Sequence, residues 1–305
     1  MQTLAQIKEL LDARGLRPKR SLGQNFLIDH NLIRKVVDSA GVGERDLVLE
    51  VGPGTGTMTE ELLARGATVV ACELDDALAA LNRERLPALP GVRPGQLTLV
   101  HGDCLESKHE VSGAVAAALA GRPFKLVANL PYGAATPLLL ALLVDFPQCS
   151  IMSVTIQREV AERLLAHPGS KDFGPLAVVA QTLATVSRIA TAPPACFWPR
   201  PEVTSSIVLI TRRAEPLTSE PRALSNFARA LFAHRRKQLG SALRDHVGSS
   251  GKTIDWAGAA LAPGCDRIVP TLRAEQLSVP EIIALERALH SQGFAFVGPE
   301  EIDTA

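Results

Sequence analysis

Between residues 47 and 156 the chain alternates two patterns of apolar residues. Short, nearly continuous apolar runs occupy Leu47–Val51, Thr68–Cys72, Leu97–Val100, Lys125–Ala128 and Ile151–Ile156. Runs of this length and density are expected of strands covered on both faces. Between them, Met58–Ala64, Asp76–Arg85, Val111–Ala120 and Thr136–Val144 carry apolar residues at helical spacing. Strand and helix in strict alternation predict an α/β domain built on a doubly wound, Rossmann-like sheet. Leu176–Ala190 reads as one more helix. After the proline-punctuated loop PPACFWPRPEV, Ser205–Ile210 reads as a last strand that ends the sheet in hairpin fashion.

Residues 212–222, RRAEPLTSEPR, are polar and carry Pro216 and Pro221, as a linker would. Beyond them, in Leu224, Phe227, Leu231 and Phe232, then in Leu239, Leu243 and Val247, apolar residues recur at spacings near three and four. Pro280 then opens a helix whose apolar positions are Ile282, Ile283, Leu285, Ala288 and Leu289. Two domains are therefore expected: residues 1–213, carrying the sheet, and residues 214–305, a small all-helical domain. A chain of 305 residues suits that division at about 150 residues per domain.

With 46% hydrophobic and 21% charged residues, the composition excludes a disordered or fibrous chain. No apolar run approaches the roughly 20 residues of a membrane helix. The first twenty residues lack the apolar core of a secretory signal, and Glu9 and Asp12 disfavour a mitochondrial leader. Five cysteines without a CxxC pair fit reduced thiols and offer no zinc pattern. A cytoplasmic protein with no metal and no membrane partner is expected.

Lys plus Arg and Asp plus Glu both number 32, so the formal charge is zero. A zero total argues against nucleic acid as a partner, but only if charge is evenly spread. It is not. Residues 1–20 carry net +3 and residues 188–252 net +7, while residues 44–110 carry −6 and residues 253–305 carry −5. The basic excess centres on His234-Arg235-Arg236-Lys237 with Arg229 and Arg244 beside it, and on Arg14, Arg17, Lys19 and Arg20 in the N-terminal arm. Such side chains contact phosphates and position RNA without reading its sequence.

The chemistry lies at the strand ends. The first strand runs into EVGPGTGTMTE, with glycines at 52, 54 and 56. The dinucleotide fingerprint needs a glycine where Thr57 stands, which weakens a nicotinamide reading. Glu50 precedes the loop. Glu73 ends the second strand, where a carboxylate can accept both hydroxyls of a ribose. Asp103, closing the third, can accept an adenine amino group or cap a turn. The fourth strand ends in Asn129-Leu130-Pro131-Tyr132. An exocyclic adenine amine is a poor nucleophile because its lone pair is delocalised into the ring. Two acceptors, the Asn129 side-chain oxygen and the Leu130 carbonyl, can hold its hydrogens and free that lone pair. Tyr132 can stack on the base, worth roughly 1–3 kcal/mol.

The segments SLGQNFL (Ser21 to Leu27), EVGPGTGTMT, NLPY and FWPRPEVTSS, in this order, resemble the small-subunit ribosomal RNA adenine N6,N6-dimethyltransferases, the kasugamycin-sensitivity family. The resemblance runs from about Arg17 to about Leu289. It implies a class I methyltransferase sheet and S-adenosyl-L-methionine as cofactor, held by Asn25, Leu27, Gly52, Gly54, Glu73, Asp103 and Asn129. It implies catalysis at Asn129, Leu130, Pro131 and Tyr132, with Phe197 facing the target adenine opposite Tyr132. The implied reaction is dimethylation of two adjacent adenosines in the 3′-terminal hairpin of small-subunit (16S) rRNA, late in small-subunit assembly. The implied partner is a pre-ribosomal 30S-type particle, met by a monomer through Arg17, Lys19, Arg20, Arg229, His234, Arg235, Arg236, Lys237 and Arg244. The sequence departs from its relatives at Gly133-Ala134-Ala135, where polar residues are common, and at Trp198, where smaller ones are. The alternatives are a large-subunit methyltransferase of the macrolide-resistance type and a non-catalytic assembly or transcription factor on the same fold.

Overall fold

All five apolar runs become strands of one sheet, joined by two more. In chain order these are β1 (Leu47–Val51), β2 (Thr68–Glu73), β3 (Leu97–His101), β4 (Phe124–Asn129), β5 (Cys149–Gln157), β6 (Ala184–Ala192) and β7 (Ser205–Arg212). Their spatial order is β3-β2-β1-β4-β5-β7-β6. β1 pairs in parallel with β2 and with β4, β2 with β3, and β4 with β5, whereas β7 runs antiparallel to β5. The computed structural model describes residues 1–107, 110–244 and 253–296. Val247, expected on a helical face, lies outside the described residues.

Every residue of β1 is buried, as a central parallel strand requires. The sheet unit also carries α1 (Leu4–Asp12), α2 (His30–Ser39), α3 (Thr57–Ala64), α4 (Asp76–Arg85), α5 (Gly113–Leu119) and α6 (Ala135–Asp145). Asp29 and Asp75 cap α2 and α4, each accepting two backbone N–H groups. Ser112 caps α5, so that helix starts later than the expected Val111. The strand order reverses between β1 and β4, and the crevice beyond their carboxyl ends is where such sheets bind ligands.

Two expectations change. The helix read over Leu176–Ala190 stops at Leu183, and Ala184–Ala192 is the edge strand β6. The β-branched Thr185, Val186, Ile189 and Thr191 favour an extended, half-exposed edge over a helix. Second, the domain division is not continuous in sequence. One unit holds residues 1–161 and 186–212; the other holds residues 162–185 and the chain from Arg213 onward. The break at Arg213 falls beside the expected boundary, but residues 162–185 join the helical unit. The cause is apolar: Ala166, Phe173, Ala177 and Val178 are buried in one cluster with Leu224, Phe227, Leu231, Leu239, Ile282 and Leu289. That unit comprises α8 (Pro175–Leu183), α9 (Pro221–Ala233), α10 (Leu239–Ala242), α11 (Trp256–Ala260) and α12 (Val279–Ser291), while α7 (Arg158–Leu164) straddles the earlier break.

Arg212, read as the start of the linker, instead ends β7. Its guanidinium donates to the carbonyls of Leu142, Leu143, Phe146 and Cys149 at 2.9–3.1 Å, closing the C-terminal end of α6. No helix among the described residues is long and apolar enough to cross a membrane.

Candidate active site

A cavity of about 660 Å³ opens at the carboxyl ends of β1, β2 and β4. Its walls are the arm segment Arg20–Phe26, the glycine loop at Gly52 and Gly54, Glu73, the stretch 102–107, and residues 129–134.

The glycine loop threads between two other motifs, and this is why glycine is required. Gly54 has φ +60°, and a Cβ there would lie 2.8 Å from the Phe26 ring of the arm. Gly52 has φ +73°, and a Cβ there would lie 3.2 Å from Pro131 Cγ. Either side chain would be strained in backbone and crowded in space. The Gly54 N–H donates to Glu73 Oε2 at 3.0 Å, and the Gly54 carbonyl accepts from Asn82 Nδ2 at 2.8 Å. The Thr55 carbonyl accepts from Arg85 at 2.6 Å and from Gln2 Nε2 at 2.8 Å. Donors from the arm and from α4 thus fix the loop, and nothing local in the sequence marks them.

Glu73 is 6% exposed, and its Oε1 accepts from the Asp75 N–H at 2.9 Å. Burial raises its pKa above the usual carboxylate value, against the Asp75 and Gly54 bonds. Its two oxygens keep acceptor capacity beyond their backbone donors. Asp75 does two jobs with one carboxylate. Oδ1 caps α4, and Oδ2 accepts from Gln24 Nε2 and Lys19 Nζ, both at 2.9 Å. Burial opposes its ionisation, but the bonds from Lys19 and Gln24 together with the backbone N–H groups of Leu78 and Ala77 outweigh it and hold the group below the usual aspartate value. This latch closes the arm over the cavity wall.

Glu50 is 2% exposed and accepts from Thr59 Oγ1 at 2.7 Å. Burial pushes its carboxyl from 4.5 to about 8, with a smaller upward push from Glu73. The folded chain therefore keeps a proton that the unfolded chain loses above its ordinary value. The stabilising contribution of Glu50 is complete below 4.5 and declines as pH rises to about 8. Glu50→Gln, which preserves the acceptor for Thr59, should gain melting temperature relative to the parent between about pH 5 and about pH 8. A calorimetric difference that is the same at both values contradicts this.

Asn129 ends β4, and its Nδ2 donates to the Asn25 carbonyl at 3.0 Å. With the nitrogen occupied, Oδ1 is the half of the amide left to accept. The Leu130 N–H is taken by the Thr155 carbonyl at 3.1 Å, which anchors the turn by its backbone. Tyr132 is half-buried and its hydroxyl lies 3.0 Å from Ser205 Oγ.

The structure brings Asn25, Gly52, Gly54, Glu73, Asp103, Asn129, Leu130, Pro131 and Tyr132 to one cavity. Asp103 is exposed, and its Oδ1 accepts from the Leu105 N–H at 2.9 Å, so it caps a turn while lining the wall. Leu27 and Phe197 are placed elsewhere. Leu27 is buried and lines a small recess of about 30 Å³ with Glu50, Gly52 and Asn129. Phe197 does not face the cavity opposite Tyr132. It is 1% exposed, packed with Leu27, Ile33 and Val37, because residues 197–198 pair antiparallel with residues 26–27 and pin the arm to the sheet unit. Trp198 packs beside Phe26 at 6.2 Å between ring centroids, with Lys8 Nζ 5.5 Å from its ring. The larger residue at this position thereby serves the arm.

Of the basic residues, Arg17 pairs with Asp12 and Lys19 with Asp75, while Arg20 is exposed on the cavity wall. In the helical unit, residues 234–237 form the turn after α9 and not a helix face. Arg235 braces that turn: it pairs with Glu275 at 2.8 Å and donates to the carbonyls of Ser170, at 2.7 Å, and Lys171. Arg229 is half-buried and donates to Asn226 Oδ1 at 2.7 Å. His234, Arg236, Lys237 and Arg244 are exposed.

The family described as "Ribosomal RNA adenine dimethylase" matches residues 15–255. A protein named "Ribosomal RNA small subunit methyltransferase A" from Mycobacterium bovis is 39% identical over 286 residues, spanning 92% of this chain and 86% of its own length. One of the same name from Cutibacterium acnes is 40% identical over 299 residues, spanning 95% and 94%. Among solved structures, a dimethyladenosine transferase from Plasmodium falciparum superposes with a TM-score of 0.70 at 20% identity, covering 88% of this chain and 98% of that one. The 23S rRNA methyltransferase ErmE superposes with a TM-score of 0.59 at 24% identity, covering 87% and 100%. At those identities both structures speak to the fold, a class I methyltransferase sheet.

Proposed function

The chain belongs to the ribosomal RNA adenine dimethylase family, and from that premise we propose that it dimethylates the N6 amino groups of two adjacent adenosines in the 3′-terminal hairpin of 16S rRNA. The observation that carries this reading is the amide of Asn129, whose Nδ2 donates to the Asn25 carbonyl and leaves Oδ1 as an acceptor in the cavity that Glu73 and Tyr132 also line.

The residues present suit S-adenosyl-L-methionine. The glycine turn admits a ligand close to the backbone, Glu73 offers acceptors to a ribose, and Asp103 offers one to an adenine amine. When bound, the cofactor supplies an electrophilic methyl on a sulfonium. The protein's own part is to orient. Asn129 Oδ1 and the Leu130 carbonyl accept hydrogen bonds from the two N–H groups of the target amine, and the proton released from the methylated nitrogen passes to solvent. Pulling on both N–H bonds localises the nitrogen lone pair and aims it along the line of attack. Tyr132 holds the base from one face. The target must be unpaired or flipped to reach this depth.

RNA is held by phosphate contacts from exposed Arg20, His234, Arg236, Lys237 and Arg244. Arg235 supports the turn that presents three of them. The substrate is a late pre-30S particle, and the enzyme acts in the cytoplasm as a monomer. Arg236→Ala with Arg244→Ala should lower RNA affinity and reduce the salt dependence by about two phosphate contacts. Binding measured across a salt series checks this, and an unchanged slope removes both residues from the interface. The reaction itself is tested by uptake of labelled methyl groups on hypomethylated small subunits, with free 16S rRNA and large subunits alongside. Uptake confined to the small-subunit particles is the expected result.

A further inference from the structure

Tyr132 is the single tyrosine of the chain, and its hydroxyl meets Ser205 Oγ at 3.0 Å, with either oxygen able to donate. Ser205 is fully buried. It opens β7 and pairs in register with Gln157 of β5. Because β7 runs against β5, its first residue arrives at the sheet edge where β4 ends: Asn129 pairs with Thr155, two positions before Gln157. The antiparallel turn of one strand is what carries a serine hydroxyl to the ring beyond Asn129.

The backbone of the NLPY turn is secured without the ring. Leu130 N–H donates to the Thr155 carbonyl at 3.1 Å and Ala134 N–H to the Pro131 carbonyl at 3.0 Å. Neither bond restrains the Tyr132 side chain. We propose that Ser205 is a positioning residue for methyl transfer, fixing the tilt of the Tyr132 ring so that an entering base finds its stacking surface already set. This rests on the reading of Tyr132 as the stacking partner of the target base.

A phenolic oxygen lies on the axis of the ring, so tethering it restricts χ1 and the tilt of the plane. The hydroxyl also prefers the ring plane, which couples ring rotation to the direction of Ser205. A half-buried ring held this way loses less freedom when a base stacks on it. The neighbouring Ser206 provides a control within the same strand. It is as buried as Ser205, points to the opposite face, and its Oγ has no hydrogen-bond partner among the described residues.

The test compares Ser205→Ala, Tyr132→Phe, their double variant, Tyr132→Ala, Ser205→Thr and Ser206→Ala. Two readouts are taken: kcat and KM for hypomethylated small subunits, and the near-ultraviolet difference spectrum against Tyr132→Phe, which isolates the one phenol. Ser205→Ala and Tyr132→Phe should each lower kcat/KM about threefold to tenfold, the loss of one neutral hydrogen bond. S-adenosylmethionine affinity should not change. The double variant should be no worse than either single variant, and Ser205→Thr should restore activity. Ser205→Ala should shift the phenol band, while Ser206→Ala shifts nothing. The proposal is overturned if Ser205→Ala transfers methyl at the parent rate while Tyr132→Ala is impaired, an outcome that leaves the stacking reading standing. It is equally overturned if the single losses multiply in the double variant. Parent-like activity of Tyr132→Ala removes the stacking reading and the positioning role together.

Discussion

Asn129→Ala should lower the rate of methyl transfer by about 10²–10³, the cost of deleting one preorganised transition-state hydrogen bond. The structure gives the reason for so large a loss from one amide. Its nitrogen is engaged by the Asn25 carbonyl at 3.0 Å, so the oxygen is presented without any reorganisation when the target amine arrives. Removing it leaves the Leu130 carbonyl as one acceptor for two hydrogens, and the nitrogen lone pair stays conjugated with the ring. Asn129 is one of several cofactor contacts, so cofactor affinity should fall less than the rate while Glu73 and the glycine loop are untouched. Single-turnover transfer to hypomethylated subunits, with calorimetry for the cofactor, separates the two effects. A rate within about threefold of the parent is incompatible with the assigned role.

Glu73→Ala should weaken S-adenosylmethionine binding by about a hundredfold or more, as expected for losing charge-assisted bonds to two hydroxyls. The change also orphans two donors, the Gly54 N–H and the Asp75 N–H, that the carboxylate now satisfies at 3.0 and 2.9 Å. Gly54 then loses the hydrogen bond that ties the loop to β2 and is held by Asn82 through its carbonyl. Binding should therefore fall further than the ribose contacts alone dictate, and thermal stability should fall with it. Calorimetric titration checks the affinity, and an affinity within about fivefold of the parent contradicts the assignment.

The sheet, the glycine turn, the glutamate at the end of β2 and the NLPY segment are legible because each is written in a contiguous stretch. A strand is a run of apolar residues, and the motifs follow the strands directly. What escaped is held by contacts distant in sequence. Gln24 and Asp75 are 51 residues apart, and Tyr132 and Ser205 are 73 apart. No periodicity announces such pairs. Phe197 lies outside the cavity for a reason of the same kind: its place in pinning the arm depends on pairing with Leu27 across the chain. The segment 184–192 departs from the helical expectation because a helix and a strand share one apolar run, and only its β-branched half marks the change. Residues 162–185 run up to and into the first residues of β6 yet belong to the helical unit, which no linker composition reveals.

The zero net charge likewise conceals an arrangement. Part of the basic surplus is internal bracing, as with Lys19 on Asp75 and Arg235 on Glu275. Arg20, Arg236 and Arg244 remain exposed and are the residues the proposed RNA contact uses.

The central claim, that this cavity dimethylates adenosines of the small-subunit RNA, is tested most directly by mapping the product. The protein is incubated with S-adenosylmethionine and a mixture of hypomethylated small and large subunits, and both RNAs are digested and analysed by mass spectrometry. The predicted result is N6,N6-dimethyladenosine at two adjacent positions of the 3′-terminal hairpin of 16S rRNA, with the large-subunit RNA unmodified. Methylation of the large-subunit RNA in its place, or no transfer to either RNA, would contradict the account.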